Sequence, residues 1–138
     1  MAPTPDPTSA LRDLSEDECE ALLSAMPVGR VAFVFAAQPI VLPVNYRYAE
    51  GEILFRTFTG QKFHAAKTQQ AVSFEIDEWD EELRTGWSVL VKGHAEEVIE
   101  WEKARAADEL GLLPWIDAAQ LGPWVRIVPS EITGRAIE

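Results

Sequence analysis

Apolar and polar positions alternate along most of this chain, and the alternation predicts strands. Val72, Phe74 and Ile76 fall on one side and Ser73, Glu75 and Asp77 on the other, the two-residue period of a half-buried strand. Trp87 to Val98 repeats the pattern, with Val89, Val91 and Ala95 inward and Ser88, Lys92, His94 and Glu96 outward. Upstream, Val31 to Phe35 is a strongly apolar strand, and Ala36-Ala37-Gln38-Pro39 reads as a turn. Ile40 to Tyr48 then reads as one further strand, with Ile40, Leu42, Val44, Tyr46 and Tyr48 facing away from Val41, Pro43, Asn45 and Arg47. Pro43 cannot donate to a ladder, so it marks an edge, a bulge or an end of pairing, with backbone groups left over for another partner. Ala49-Glu50-Gly51 is a hairpin turn, and Ile53, Phe55, Thr57 and Thr59 share one face of the next strand against Glu52, Leu54, Arg56 and Phe58. Trp124 to Pro129 is the last full strand, and Ser130 to Arg135 is a short tail that can pair once more.

The helical period is confined to short pieces. Cys19, Leu22, Leu23 and Met26 form a stripe at i, i+3, i+4 and i+7. Ser15-Glu16-Asp17-Glu18 is a capping box, Leu14 and Cys19 take the staple positions, and Pro27 stops the helix. A brief helix follows Gly60 over Phe63 to Lys67, another covers Trp101 to Leu110, and Leu113-Pro114-Trp115 begins a further piece that Gly122-Pro123 breaks. Strands in a meander with only small helices between them exclude a parallel α/β sheet. They close best into a barrel, which removes exposed edges. The fold class expected is mainly β (α+β), a six-stranded antiparallel split barrel with small flanking helices. Residues 1–10, with three prolines among small polar residues, form a flexible arm, and 11–138 form one domain.

Composition narrows the function. The chain has 138 residues and a net charge of −11, which disfavours nucleic-acid binding. One cysteine excludes an internal disulfide and a multi-cysteine metal site. No apolar run approaches the roughly 20 residues of a membrane helix, and the proline-rich start lacks a signal-peptide core, so the expected location is the cytoplasm. The six carboxylates from Glu75 to Glu82 lack the spacing and turn glycine of a calcium loop and read as a solvated strand end and loop. Neither His64 nor His94 has a second histidine at ligand spacing. Cys19 reads as a small buried hydrophobe. The stretch with chemistry in it is Thr57-Phe58-Thr59-Gly60-Gln61-Lys62, where hydroxyls at a strand end run through a glycine into a helix start with a lysine. Free N–H groups, the helix dipole and the lysine charge there suit a phosphate. Five tryptophans exceed what one small core needs, and Trp87, Trp115 and Trp124 are candidates for an interface or a flat-ligand pocket.

Taken in order, Gly29-Arg30-Val31-Ala32-Phe33-Val34, Pro39-Ile40-Val41-Leu42-Pro43-Val44-Asn45-Tyr46, Ile53-Leu54-Phe55-Arg56-Thr57 with Gly60-Gln61-Lys62, Val72 to Asp77 and Trp87 to Ala95 resemble the pyridoxamine 5′-phosphate oxidase-like family of flavin-binding split barrels, its short bacterial members above all. The resemblance spans roughly residues 14 to 135. It implies a homodimer holding two flavin mononucleotides (FMN) between the subunits. By position it places Thr57, Thr59, Gln61 and Lys62 at the phosphate and ribityl chain, with Arg56 beside them. Val41, Pro43, Val44 and Asn45 would run along the isoalloxazine, with Trp87 and Ser88 reaching it from the adjacent strand. The full-length oxidases carry an arginine where Gln61 stands, which weakens charge neutralisation here. Their C-terminal substrate-phosphate residues have no counterpart, so pyridoxamine phosphate is not the expected substrate. The resemblance implies an oxidoreductase of a small flat substrate, quinone- or nitroaromatic-like, using NADH or NADPH. Related barrels use the deazaflavin F420, whose acidic tail this acidic chain disfavours, and a flavin-binding module without turnover is the other class of function.

Overall fold

In the computed structural model, residues 10–58, 64–98, 101–108 and 121–138 are described, with backbone only for 57, 58, 64, 67, 101–104 and 121. The chain runs β1 (Leu11–Asp13), α1 (Glu16–Ala25), β2 (Val28–Phe35), β3 (Gln38–Asn45), β4 (Arg47–Ala49), β5 (Glu52–Phe58), α2 (His64–Lys67), β6 (Ala71–Asp80), β7 (Thr85–Glu97), α3 (Trp101–Asp108) and β8 (Leu121–Ile137). All pairings are antiparallel, in the order β3-β2-β6-β7-β8-β5-β4, with β1 added on β8. The split-barrel expectation holds. Two three-residue strands, β1 and β4, raise the expected six to eight.

One boundary differs in a way that shapes the barrel. The strand expected from Ile40 to Tyr48 is two strands, β3 and β4, at opposite ends of the sheet path. A single residue, Tyr46, joins them. The sheet must therefore curl until its two ends meet at that residue. Tyr46 is fully buried, its ring stands edge-on to Phe74 at 4.8 Å between centroids, and its N–H donates to the Pro27 carbonyl at 3.2 Å.

Its hydroxyl donates to the Leu23 carbonyl at 2.7 Å. That carbonyl lies in the last turn of α1, and the residue four places on is Pro27, which has no N–H. Tyr46 supplies the missing donor. Burial raises its phenol well above the ordinary range. At the other end of α1 the expected capping box is present: Glu18 N–H donates to Ser15 Oγ at 3.1 Å, and Ser15 N–H to Glu18 Oε1 at 3.0 Å. Arg12 on β1 donates to Glu18 and to Glu138, which holds the Glu18 carboxyl down at about 2.

The core follows the alternation. Val72, Phe74, Ile76, Val89, Val91, Ala95, Ile53 and Phe55 are buried, and Cys19 and Leu23 bring α1 onto them. Ala65 and Ala66 of α2 are buried in the same cluster. A smaller cluster of Val98, Ala107 and Trp124 seats α3 against the outer side of the sheet.

Other ends move for physical reasons. Trp124 to Pro129 and the tail are one 17-residue strand, because β8 takes a register shift opposite Lys92/Gly93 and so passes Pro129 without losing its partner. At that shift Gly93 is obligatory, since a Cβ there would lie 2.1 Å from the Val128 carbonyl oxygen. The acidic run is strand through Asp80, and its turn is held by Leu83 N–H donating to Asp80 Oδ1 at 2.9 Å. Ala10, given to the flexible arm, exchanges two backbone hydrogen bonds with Glu138. The helix expected to reach Leu110 is described to Asp108, and residues 1–9, Phe63 and Leu113-Pro114-Trp115 lie outside the described residues. Among the described residues no helix is long and apolar enough to cross a membrane.

Removing the Tyr46 hydroxyl (Tyr46→Phe) leaves the Leu23 carbonyl buried without a donor and should cost about 1–3 kcal/mol, read as a lower urea midpoint at unchanged m.

Candidate functional site

The residues singled out by sequence fall on three parts of the barrel. Val41, Pro43, Val44 and Asn45 lie on β3, an edge strand with a neighbour on one side only. Pro39 and Pro43 suit an edge strand, and among the described residues the side of β3 away from β2 makes no ladder bonds. Successive side chains point to opposite faces. Val41 and Pro43 face outward and are exposed, whereas Val44 turns inward and packs against the core. Only the backbone of Val44 is presented to a ligand on the outer face.

Ser88 shares that outer face. The register carries one row from Pro43 through Arg30 and Glu75 to Leu90 and Thr133. A second row runs from Val41 through Ala32 and Ser73 to Lys92, and a third from Asp77 through Ser88 to Arg135. Trp87, one residue from Ser88, points the other way and packs against the core. The adjacent pair therefore cannot meet one ligand from one sheet face.

Two depressions follow from this layout. One, of about 390 Å³, is lined by Val41, Ala32, Arg30, Ser73, Glu75, Asp77 and Leu90. Its lining mixes apolar side chains (Val41, Ala32, Leu90) with polar and charged ones (Ser73, Arg30, Glu75, Asp77). The other, of about 450 Å³, lies at the β6–β7 hairpin and includes Trp79, Gly86, Trp87 and Ile137. There Trp79, 55% exposed, lies over Gly86, where an added Cβ would come 2.1 Å from the indole.

Arg30, Glu75 and Asp77 were not among the expected site residues; Glu75 and Asp77 belong to the acidic run read as a solvated strand end and loop. Arg30 Nη1 stands 3.7 Å from Glu75 Oε1 and 3.5 Å from Asp77 Oδ1. Glu75 is pushed up to about 7, by partial burial first and then by its hydrogen bond with Asp77 and that group's charge, with Arg30 pulling it down. The signal was available: two carboxylates at i and i+2 of a strand share a face.

The third part is the end of β5. Arg56 is already engaged, with its guanidinium 5.8 Å from the Trp124 ring centroid and its Nε donating to the Gly122 carbonyl at 2.9 Å. Trp124, a candidate for a flat-ligand pocket, is 7% exposed, and its Nε1 donates to Asp108 Oδ1 at 2.7 Å, so it docks α3. Thr57 belongs to β5 by its backbone. Thr59, Gln61 and Lys62 lie outside the described residues. His94 bonds Glu96 at 3.1 Å beside Arg126, and among the described residues no group of side chains is arranged to hold a metal ion.

Arg56→Ala should lower stability by about 1–2 kcal/mol in the absence of any added ligand, measured by urea unfolding, because it removes the stacking on Trp124 and a hydrogen bond to the backbone.

The comparisons with known proteins fit this architecture. The family model described as pyridoxamine 5′-phosphate oxidase matches residues 15–136. An uncharacterized protein of Mycobacterium tuberculosis is 35% identical over 95% of this chain and 88% of its own length. Among solved structures, the FAD binding protein from Mycobacterium smegmatis superposes with a TM-score of 0.78 at 34% identity, covering 92% of this chain and 98% of that one. A FAD-binding protein from Mesorhizobium loti gives 0.72 at 26% identity, covering 94% and 98%. With the barrel, the edge strand and these matches together, the chain belongs to the pyridoxamine 5′-phosphate oxidase family.

Proposed function

We propose that this protein binds a flavin nucleotide, with the flat ring over the outer face at Val41 and the phosphates at the turn after β5. The observation that carries the reading is the depression beside β3, where the exposed Val41 of an edge strand, Ala32 and Leu90 supply apolar surface and Arg30, Ser73, Glu75 and Asp77 polar surface. Those residues suit a planar group that is apolar on its faces and polar on its edge. Lys62, with the N–H groups that follow Gly60, would meet the anionic end. The family resemblance implies FMN, whereas two related structures are named for FAD. FAD is therefore the first flavin to test. The acidic chain argues against F420, whose tail needs a basic groove.

A second copy of the chain completes the site in this reading. The β2–β3 hairpin exposes Val34 at 48%, Phe35 at 50%, Val41 at 63% and Leu42 at 40%. Val41 and Leu42 face opposite ways, so the hairpin is apolar on both sides, which a monomer gains nothing from leaving wet. A partner subunit covering it would exclude water from the flavin.

When bound, the flavin supplies hydride transfer. The chain's own part is to orient the ring, exclude water and hold the phosphates, and no protein acid or nucleophile is required. We assign an oxidoreductase of a small flat acceptor with NADH or NADPH as donor. The competing reading, a flavin carrier without turnover, is favoured by relatives named for binding alone.

Purified protein should be yellow or become so with FAD or FMN, and Lys62→Ala should lose about tenfold or more in affinity by removing a charge-assisted phosphate contact. Leu42→Asp should elute as a monomer on size exclusion. A colourless protein that ignores both flavins overturns the reading. Yellow protein that oxidises neither NADH nor NADPH with any acceptor leaves the carrier.

A further inference from the structure

We propose that residues 1–9 fold back over the end of the β6–β7 hairpin and cover Trp79 with the rings of Pro5 and Pro7. The inference is independent of the flavin reading and concerns the other depression.

Register builds the surface. Trp79 of β6 lies opposite Gly86 of β7, Gly86 opposite Ile137 of β8, and Ile137 opposite Leu11 of β1. Residues directly opposite one another share a face, so the four form one row on the outer side of the sheet. Gly86 has no side chain, and the Trp79 indole lies against its backbone, where an added Cβ would collide with the ring. One face of the indole rests on the sheet and the other is open, which leaves the residue 55% exposed. Leu11 at the end of the row and Leu83 in the hairpin turn are more exposed still. Apolar side chains gathered in this way mark a surface that something covers.

The chain brings a cover to the spot. Ala10 and Glu138 exchange two backbone hydrogen bonds, at 3.1 and 3.3 Å, and Glu138 lines the depression. Residues 1–9 therefore leave the barrel at the rim of the depression. Two strand spacings, about 10 Å, separate β1 from the Gly86 backbone under the indole. Nine residues in polyproline form reach about 28 Å. After a turn through Thr8 and Ser9, residues 5–7 are at the right distance. Pro3, Pro5 and Pro7 restrict the free segment, so less freedom is lost on docking. Aromatic surfaces are a usual seat for proline-rich segments. The tether holds the segment at about millimolar local concentration, so a weak contact suffices.

Charge favours this occupant over a second copy. Glu78 and Asp80 line the depression, as does Glu138, whose Arg12 partner is shared with Glu18. A symmetric contact would set that acidic lining against its own image. Residues 1–9 carry only Asp6 as a charged side chain, and Thr4, Thr8 and Ser9 offer hydroxyl donors to the carboxylates.

Fluorine NMR of the protein labelled with fluorotryptophan tests the proposal. The Trp79 resonance is the one lost in Trp79→Phe. In a variant lacking residues 2–9, which keeps β1, that resonance should move and its shift between light and heavy water should grow, while the Trp124 resonance at α3 stays. The double variant Pro5→Gly, Pro7→Gly keeps the length of the segment without its rings and should move Trp79 in the same direction. A Trp79 resonance with the same position and solvent shift in wild type and deletion overturns the proposal. Movement in the deletion alone overturns the assignment to Pro5 and Pro7. A wild-type Trp79 resonance that moves on dilution places a second copy on the patch and overturns the proposal as well.

Discussion

The burial of Tyr46 is the constraint on which the barrel depends. It stands alone between two strands that lie at the two ends of the sheet path. A flat or gently twisted sheet would put those ends several strand widths apart, since neighbouring strands are spaced about 4.8 Å. One residue cannot span that gap, so the curl of the sheet is built into the connectivity. The same side chain ties α1 to the seam through Leu23 and seats the ring on Phe74. The helix, the seam and the core are therefore coupled at one point. Gly29 repeats the theme on the neighbouring strand: a Cβ there would sit 2.1 Å from the tip of Phe74, so the strand backbone packs directly on that ring.

The seam also explains where the chemistry can be. The interior is filled by Ile53, Phe55, Phe74, Ile76, Val89, Val91 and Ile127, each nearly or wholly inaccessible. A ligand has only the outside. The α3 helix and Trp124 occupy the outer side near β5 and β8, whereas the outer side of β3, β2 and β6 carries Val41, Arg30, Glu75 and Asp77. Among the described residues, the face left uncovered is the one next to the edge strand β3.

Much of this was legible in the residues. The inward sets of β6 and β7 were readable because period-two alternation needs nothing beyond local sequence, and the Ser15 capping box because its two hydrogen bonds are made within one turn. The break at Tyr46 was not legible. Tyr46 continues the alternation of Leu42 and Val44, and the departure is forced by non-local contacts with Phe74, Leu23 and Pro27. β1 was missed because three exposed residues have no pattern of their own and pair only because β8 offers an edge. In the site, Val41 and Ser88 belong to one face, while Val44 and Trp87 turn inward, a distinction set by register. The acidic pair was visible as composition, but its meaning depended on Arg30 arriving from a strand more than forty residues earlier.

The longest strand, β8, has a consequence for how the molecule comes into being. It pairs with β7 along most of its length, with β5 at its start and with β1 at its end. All three partners precede it in the chain. During synthesis on the ribosome the edges of β5 and β7 stay without their shared neighbour until the residues after 121 have emerged. Before then the nascent chain holds two half-sheets, β3-β2-β6-β7 and β5-β4, linked through Tyr46 but with no ladder on the edges that β8 will fill, and such edges recruit strands from other chains. The barrel is thus joined by a strand that follows all the other described elements in the chain, and a chaperone has most to do in the interval before it emerges.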